Sequence, residues 1–527
     1  MANSGNRISH EINEKRSKTS IIMGIFTLIV LCVFPVVYHD YYFDILETKY
    51  QFYCAAAIGM IVLMAGCGLW TGQMIEYFKK FDLKKIVKRL NITDWSMLAF
   101  WLAHVLSWVF CEWPWEAFWG TSGRYNGVFL VTVYMLVYFL VTRFFTFRKW
   151  YLDAFLAVSI FVCVFGITDY FQMDILGFKR QMLPKQRNIY SSTFGNINTY
   201  TVYVAASLVI STVLFATEKC LKRTVWYYVN MVIACFALIM GCSDNAYLSL
   251  AALFGLAPLY LLRTKTGTSR YFISVATLFT VILCIDKINA AYADVVIGID
   301  SAFKIIAGMS ILPVLVIVLW IFAVGITFVL VKRGQNTEDK MNPWAVRVWG
   351  CIVVLTVCAV AFAFYDATVL GNTGRYGAIA SYVTFNEKWG TDRGYVWMKS
   401  LELWNGIFTP IQKMVGYGAD TLGLLMKLYE KPRMQNGIYV IYDSVHNEYL
   451  HYLVTTGVLG MISYIAFLVS AIRQMCRRVK SHPEIAAVMF ATIAYAVQAV
   501  VNINIPVVTP VIFQLLFMGL CKTEKTE

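Results

Sequence analysis

Apolar runs of about 20 residues recur along this chain from near its first residues to near its last, and they limit the folds open to it. Each run is long enough to cross the ~30 Å hydrocarbon core of a bilayer as one helix. Only 14% of the residues are charged, whereas soluble domains carry about 25%. Because lipid offers no hydrogen bonds to an exposed backbone, the crossing segments must be helices. We therefore predict an all-α, polytopic membrane protein.

The pattern predicts about fourteen transmembrane helices, with about twelve as the lower bound. The predicted segments lie near 20–38, 50–70, 95–112, 126–146, 151–168, 198–216, 224–242, 245–262, 271–286, 308–331, 347–366, 447–472, 484–501 and 504–521. The predicted organisation is a cytoplasmic tail at 1–19, a transmembrane bundle of about eleven helices at 20–366, a large extracytoplasmic loop at 367–446, C-terminal transmembrane helices at 447–521 and a cytoplasmic tail at 522–527. The large loop thus precedes the third-last helix.

The placement of lysine and arginine orients the helices, since the cytoplasmic loops of membrane proteins are enriched in both. With the N-terminus inside, most of the 45 Lys and Arg residues fall in cytoplasmic segments, and both termini are cytoplasmic. Topology therefore accounts for the net charge of +14, and we predict membrane lipid rather than nucleic acid as a partner. One short outer loop, 169–196, is also basic, and we interpret its charge as attracting an anionic substrate.

The predicted outer loop holds two features that point to chemistry. Trp397, Leu401 and Trp404 recur at helical spacing after Arg393, which predicts an amphipathic helix on the membrane surface or against the bundle. His446 ends the loop at the mouth of the next helix, where a side chain that titrates near neutral pH can exchange protons. A packed loop helix and an interfacial histidine with purely structural roles are the alternatives.

Two further arginines, Arg124 and Arg375, lie on the predicted outer face. Arginine binds polyanions such as a diphosphate through a rigid bidentate fork, although either residue also fits the role of an interfacial anchor. The 13 cysteines are mostly scattered inside apolar runs, and no Cys/His cluster has zinc spacing. No carboxylate cluster of the magnesium type is evident. We therefore predict no metal and no cofactor.

Four short segments between residues 119 and 472 share their pattern with one family. They are Gly123 to Gly127 around Arg124; Phe194, Gly195, Asn196 and Asn198; Arg393, Trp397, Gly416 and Gly418; and His446, Asn447, Tyr449 and Leu450 followed by Gly457 and Gly460. In these residues the chain resembles the O-antigen ligase / O-antigen polymerase superfamily of bacterial membrane glycosyltransferases. Ile197 stands where that family has proline.

The resemblance implies transfer of a glycan from a polyprenyl-diphosphate carrier to an acceptor hydroxyl on a glycan or lipid-glycan. The reaction would occur on the outer face of the bacterial cytoplasmic membrane. The resemblance implies two catalytic residues, His446 as the base or acceptor-orienting group and Arg393 as the diphosphate clamp. The implied substrate-binding residues are Arg124, Arg375, Asn196, Asn198, Trp397, Asn447 and Tyr449.

One departure from the family bears on the substrate. Ligases of the family commonly carry a Ser-Arg pair at the start of a middle helix, and the corresponding segment here, Cys242 to Asn245, has Asp244 and no arginine. This favours a polymerase or a ligase with another substrate, and the alternative is that another cation, Arg124 or Arg375, takes the place of that arginine. From a different class, a lipid-linked oligosaccharide flippase or other transporter has a similar helix number. Such proteins usually show repeated halves and charges within the spans, and neither is evident here.

Overall fold

The computed structural model describes residues 18–70, 82–121, 123–299, 301–334, 339–341, 343–431, 433–435, 438–440 and 442–523. Nearly all of the regular structure in these residues is helical. The helices are α1 (Lys18–Val36), α2 (Ile45–Trp70), α3 (Leu83–Val87), α4 (Ile92–Val109), α5 (Pro114–Trp119), α6 (Val128–Phe144), α7 (Trp150–Tyr170), α8 (Pro184–Arg187), α9 (Ile197–Thr217), α10 (Leu221–Met240), α11 (Asn245–Leu256), α12 (Pro258–Leu261), α13 (Lys265–Ala291), α14 (Ser301–Ala307), α15 (Leu312–Gly334), α16 (Trp344–Thr368), α17 (Ala380–Val383), α18 (Trp389–Gly406), α19 (Pro410–Val415), α20 (Leu422–Tyr429), α21 (Glu448–Thr455), α22 (Gly457–Cys476), α23 (Pro483–Gln498) and α24 (Thr509–Leu520).

Short strands add little to this architecture. The described residues contain β1 (Thr146–Phe147), β2 (Tyr190–Ser191), β3 (Gly195–Asn196), β4 (Arg433–Gln435), β5 (Ile438–Val440) and β6 (Lys522–Thr523). The pairs β2–β3 and β4–β5 are antiparallel, and β1–β6 is parallel. A 3₁₀ helix at Thr373–Ile379 follows α16.

Nine of the described helices are long and apolar enough to cross a membrane, namely α1, α2, α7, α9, α10, α13, α15, α16 and α22. Shorter apolar helices lie at Val128–Phe144, Asn245–Leu261, Pro483–Gln498 and Thr509–Leu520. The chain is therefore a polytopic, all-helical membrane protein, as predicted, while the number of about fourteen crossings stays a prediction. One predicted helix, 447–472, is wrong as a single element, because the left-handed backbone of Gly457 (φ +70°) separates α21 from α22.

The chain divides into two compact units, and each is described by itself. The first unit contains Met1–Phe155, Trp404–Met489 and Ile503–Glu527. Within it, α22 packs along α4, and α19 and α21 also contact α22. Asp94, fully buried in the first turn of α4, accepts hydrogen bonds from Tyr138 (2.7 Å) and Arg143 (2.7 Å). Because these partners satisfy the buried carboxylate, it can anchor the start of α4.

The second unit contains Leu156–Leu403 and Phe490–Asn502. Its centre is α9, which contacts α10, α11 and α13. The apolar part of α9 is wholly buried. The hydroxyls of Ser211 and Thr212 donate to carbonyls one turn earlier in the same helix, so these buried polar groups are satisfied. By contrast, no residue in the apolar stretch of α16 is fully buried by the protein. That surface is suited to lipid.

Candidate functional site

In the first unit, the turn at 416–418 packs against the break between α21 and α22. Gly416 has φ +86°, and a Cβ atom there would lie 2.1 Å from the carbonyl oxygen of Thr455. Gly457, with φ +70°, approaches the Met414 carbonyl oxygen equally closely, and its Cβ would lie 2.2 Å away. Only glycine allows both this backbone conformation and this approach. Two motif segments that are distant in sequence thus meet through their glycines.

Asp420 joins this turn to the loop before α6. One carboxylate oxygen, Oδ2, accepts hydrogen bonds from the backbone N–H groups of Thr121 (2.8 Å) and Asn126 (3.0 Å). The side chain is buried, and burial raises the pKa of Asp420 to about 7 although these hydrogen bonds oppose the shift. Asp420 itself adopts a left-handed backbone conformation (φ +58°). The carboxylate therefore fixes Thr121 and Asn126 against the segment that follows the 416–418 turn.

Arg124, on the same loop, is paired with Asp443. Its Nη2 donates to Asp443 Oδ1 (2.6 Å) and its Nε to Oδ2 (3.1 Å), which is the bidentate geometry of a strong arginine–carboxylate pair. Burial alone would raise the pKa of Asp443, but the charge and hydrogen bonds of Arg124 outweigh it and lower that pKa. The guanidinium predicted to bind substrate is thus already neutralised by a carboxylate.

His446 lies three residues after Asp443, on the short segment that leads into α21. Its backbone is left-handed (φ +52°), and its N–H donates to the hydroxyl of Ser444 (3.3 Å). A positive charge on His446 acts on Asp443 and lowers the pKa of that carboxyl. The imidazole is half-buried. The structure therefore groups His446, Asp443 and Arg124 within the first unit.

The two residues predicted to bind substrate beside His446 have structural contacts. Asn447 is the N-cap of α21, and its side chain accepts a hydrogen bond from the Leu450 N–H (3.0 Å). Tyr449 is half-buried, with its ring centre 6.0 Å from that of Tyr464. Both residues fix the helix start that carries His446.

In the second unit, three consecutive left-handed residues, 390–392, precede Arg393 in α18. Gly394 then approaches the Asn386 backbone so closely that a Cβ atom would lie 1.9 Å from its carbonyl oxygen. The local sequence Gly-Thr-Asp-Arg-Gly therefore permits a sharp change of direction just before the helix. This turn directs Arg393 to the buried face of α18.

The buried face of α18 differs from the predicted apolar stripe. Arg393, Val396 and Ser400 are buried, whereas Leu401 is 47% exposed and Trp397 is half-buried. The helix itself is present, as its spacing predicted. The prediction left open whether the apolar stripe faces the membrane or the bundle, and the exposure of Leu401 shows that spacing alone does not identify the buried face.

Arg393 lines a cavity of about 550 Å³. The lining residues, all in the second unit, are Asp244, Tyr247, Leu248, Phe364, Ser381, Tyr382, Lys388, Trp389, Gly390, Thr391, Arg393, Val500 and Val501. Burial lowers the pKa of Arg393, and the negative charge of Asp244 partly opposes that shift. Although Arg393 is only 9% exposed, its guanidinium has no hydrogen-bond or ion-pair partner among the described residues.

Trp397 lies behind the wall of this cavity. Its ring centre is 5.2 Å from that of Trp389 and 6.1 Å from that of Phe385. The indole N–H of Trp389 donates to the Tyr382 carbonyl (2.9 Å), so the wall tryptophan is fixed on two sides. Trp397 therefore packs against Trp389, which lines the cavity.

Asn196 and Asn198 connect the start of α9 to the turn before α11. The side chain of Asn196 caps α9 by accepting a hydrogen bond from the Asn198 N–H (2.8 Å). The Asn198 side-chain oxygen accepts a hydrogen bond from the Ser243 hydroxyl (2.7 Å). Since Ser243 directly precedes Asp244, this motif supports the wall of the Arg393 cavity from behind.

The remaining predicted cation, Arg375, is not among the residues that line the cavity. Its Nη1 donates to Asp366 Oδ1 at 3.2 Å, and its side chain is 66% exposed. In the basic 169–196 loop, Lys179 is buried in an ion pair with Asp169 (3.1 Å), so its charge is compensated internally. Any attraction of an anion by this loop rests on its exposed residues Arg180, Lys185 and Arg187.

Three carboxylates were absent from the predicted site, namely Asp244, Asp420 and Asp443. Asp420 and Asp443 lie within a few residues of the recognised Gly-x-Gly and His-Asn segments, and this adjacency was the available signal. Asp244 was noticed only as a departure from the family. Their partners are distant in sequence, so spacing could not reveal them.

Within the part of the chain that the structure describes, no three His, Cys, Asp or Glu side chains form a group that could hold a metal ion. Comparison with known families shows that residues 299–465 match the family described as O-antigen ligase. This segment includes Arg393 and His446. A search of curated proteins finds no match to the chain.

Proposed function

Because this is a multi-pass membrane protein with an O-antigen ligase domain over residues 299–465, we propose that it transfers a glycan from a polyprenyl-diphosphate carrier to an acceptor hydroxyl. The family implies lipid-linked glycan substrates. The observation that carries the proposal is Arg393, which is nine-tenths buried in a cavity wall without a hydrogen bond to any described residue. A buried, unpaired charge costs free energy, and an anionic ligand would compensate for it.

In the proposed reaction, Arg393 binds the diphosphate of the donor through its bidentate fork. Lys388 lines the same cavity and adds a second positive charge. Asn196, Asn198 and Trp397 support this site from behind. Arg124 and Arg375 are weaker candidates for substrate binding, since each already has a carboxylate partner.

His446 is proposed to act on the acceptor. As a glycosidic bond forms between the acceptor oxygen and the anomeric carbon, the hydroxyl proton passes to His446. The bond between the anomeric carbon and the diphosphate oxygen breaks, and its electron pair leaves with the polyprenyl diphosphate. Arg393 stabilises the charge on that leaving group. Asn447 and Tyr449 hold the helix start that positions the imidazole, and we propose no metal or cofactor for this chemistry.

We also propose that the chain lies in a bacterial cytoplasmic membrane with both termini in the cytoplasm, which places the 367–446 loop outside. The Lys and Arg distribution supports this orientation. Single cysteines introduced at exposed Lys185 and Lys219 would test it in a cysteine-free background. A membrane-impermeant maleimide should label the former in intact cells and the latter only after lysis.

The proposed activity is tested by glycan assembly in cells that carry Arg393→Ala or His446→Ala. Each change should reduce polymer formation at least about 100-fold, the effect of removing one essential charge-stabilising or proton-transferring group. Matched controls are Arg347→Ala, an exposed arginine over the Trp344 ring, and His39→Ala, an exposed histidine paired with Asp44. Full activity in both test variants, at normal abundance in the membrane, would contradict the proposal.

The intermediates that accumulate in a deletion strain distinguish a ligase from a polymerase. Single lipid-linked repeats would accumulate without a polymerase, whereas unattached lipid-linked polymer would accumulate without a ligase.

The proposed metal independence is tested by chelation of membranes with EDTA. Activity that is lost with EDTA and restored by Mg²⁺ would contradict it.

A further inference from the structure

The cavity of the second unit presents two opposite charges that do not pair with each other. Arg393 and Asp244 both line it, yet no nitrogen–oxygen distance of 4.0 Å or less joins them. Asp244 precedes α11 as its N-cap residue, but its side chain makes no capping hydrogen bond. Among the described residues neither charged group has a hydrogen bond or ion-pair partner, so both are available to a ligand between them.

From this arrangement we propose that Asp244 binds the first sugar of the donor. The ligand class is a glycosyl diphosphate, with the diphosphate on Arg393 and the hydroxyl or amide N–H groups of the sugar on Asp244. This inference rests on the proposed function and adds a specificity-determining residue to it.

The charges define which part of the ligand goes where. A carboxylate repels phosphate and can only accept hydrogen bonds, whereas a guanidinium can only donate them. A bare diphosphate would satisfy Arg393 but be repelled by Asp244. A purely neutral sugar would satisfy Asp244 and leave Arg393 without a counter-charge. A sugar joined to a diphosphate satisfies both groups at once.

The rest of the cavity wall suits a sugar ring. Tyr247, Tyr382 and Trp389 line it, and the apolar face of a pyranose packs well on such aromatic rings. The wall is held in place by the Trp389–Tyr382 hydrogen bond (2.9 Å) and by Phe303, with its ring centre 4.7 Å from that of Tyr247. The volume of about 550 Å³ lies within the range of small-molecule sites.

The alternative is that Asp244 serves only as a distant counter-charge for Arg393. Binding measurements on the full-length protein in detergent separate the two roles. The probes are polyprenyl diphosphate without a sugar, and the same carrier with one hexose or one N-acetylhexosamine. Wild-type protein should prefer a sugar-bearing probe over the bare carrier by about tenfold or more, the effect of a hydrogen bond to a charged group.

Asp244→Ala should abolish this preference while binding the bare carrier at least as tightly as wild type does. Asp286→Ala, which removes a half-buried carboxylate paired with the exposed Lys287 in the same unit, should keep the preference. Thermal unfolding of each variant checks that it is folded. If Asp244→Ala changes the affinity for all probes by one factor, Asp244 acts only through Arg393 and the inference fails.

A further variant distinguishes the inference from the proposed function on which it rests. If Arg393→Ala weakens binding of the bare carrier while Asp244→Ala leaves the preference for sugar-bearing probes intact, the diphosphate site stands and the sugar site is wrong. If wild-type protein binds none of the probes and Arg393→Ala changes nothing, both are wrong. A wild-type protein that binds all probes equally also overturns the sugar site.

Discussion

In the first unit, the charged side chains of the motif segments are paired with protein groups. Arg124 forms a bidentate ion pair with Asp443, and Asp420 accepts two backbone hydrogen bonds. In the second unit, Arg393 and Asp244 face a cavity and have no such partners among the described residues. The second unit does pair a buried charge elsewhere, as Lys179 and Asp169 show, so the unpaired charges are a local property of the cavity.

This difference separates two uses of the same residue types. Charges paired within the protein hold loops in place, and their value is structural. Charges left unpaired in a cavity wall cost stability, and we propose that Arg393 and Asp244 are retained for a ligand. The arginines that sequence motifs group together therefore have different roles, and the following experiments test that division from the largest expected effect to the smallest.

The largest effect is expected at the glycine contact of the first unit. Gly457→Ala places a Cβ atom 2.2 Å from the Met414 carbonyl oxygen at a left-handed position, and should destabilise the protein by about 2–5 kcal/mol. The thermal midpoint in detergent measures this. Gly66→Ala in α2 is the control, since nothing lies within 4 Å of its Cβ position. Equal midpoints for the two variants would contradict the close backbone contact.

A contrast between two arginines tests the division directly. Arg124→Met leaves the Asp443 carboxylate without its partner and should lower stability by about 1–3 kcal/mol. Arg393→Met removes a buried unpaired charge, so stability should be unchanged or rise by about 1 kcal/mol while activity is lost. Thermal midpoints and glycan assembly are measured together. A lower midpoint for Arg393→Met would show that Arg393 has a structural partner.

The pH dependence of stability should reveal Asp420. Its pKa of about 7 exceeds the unfolded value of about 3.9, so the native state binds more protons between these values. Stability should therefore fall as pH rises through this window, by at most about 1.4 kcal/mol per pH unit from this group. In Asp420→Asn, the amide oxygen can still accept both backbone hydrogen bonds. The contribution of this group to the dependence of stability on pH should vanish. An unchanged slope in the variant would contradict the assignment.

The smallest effect is expected at Arg375. Its ion pair with Asp366 is largely exposed on the arginine side, and such pairs contribute less than about 1 kcal/mol. Arg375→Ala should lower glycan assembly by less than about threefold, because Arg375 does not line the cavity. A loss as large as that of Arg393→Ala would instead place Arg375 in the donor site.

The sequence by itself determined the class of protein and much of its local structure. Apolar runs of helix length required a polytopic helical membrane protein, because the backbone must satisfy its own hydrogen bonds in lipid. The helix after Arg393 was predictable from its spacing. The motif segments resemble the O-antigen ligase family, and residues 299–465, which contain the segments around Arg393 and His446, match the family of that description. All of these properties are encoded within short stretches of chain.

Only the tertiary structure decided the partner of each charge. Asp443 and Arg124 are far apart in sequence, as are Asp420 and Thr121, so no local pattern could pair them. The buried side of α18 also depended on the whole fold, since apolar residues can face lipid as readily as protein. The same holds for Asp244, which in sequence was only a missing arginine. In the fold Asp244 lines the Arg393 cavity, and neither charge has a partner among the described residues.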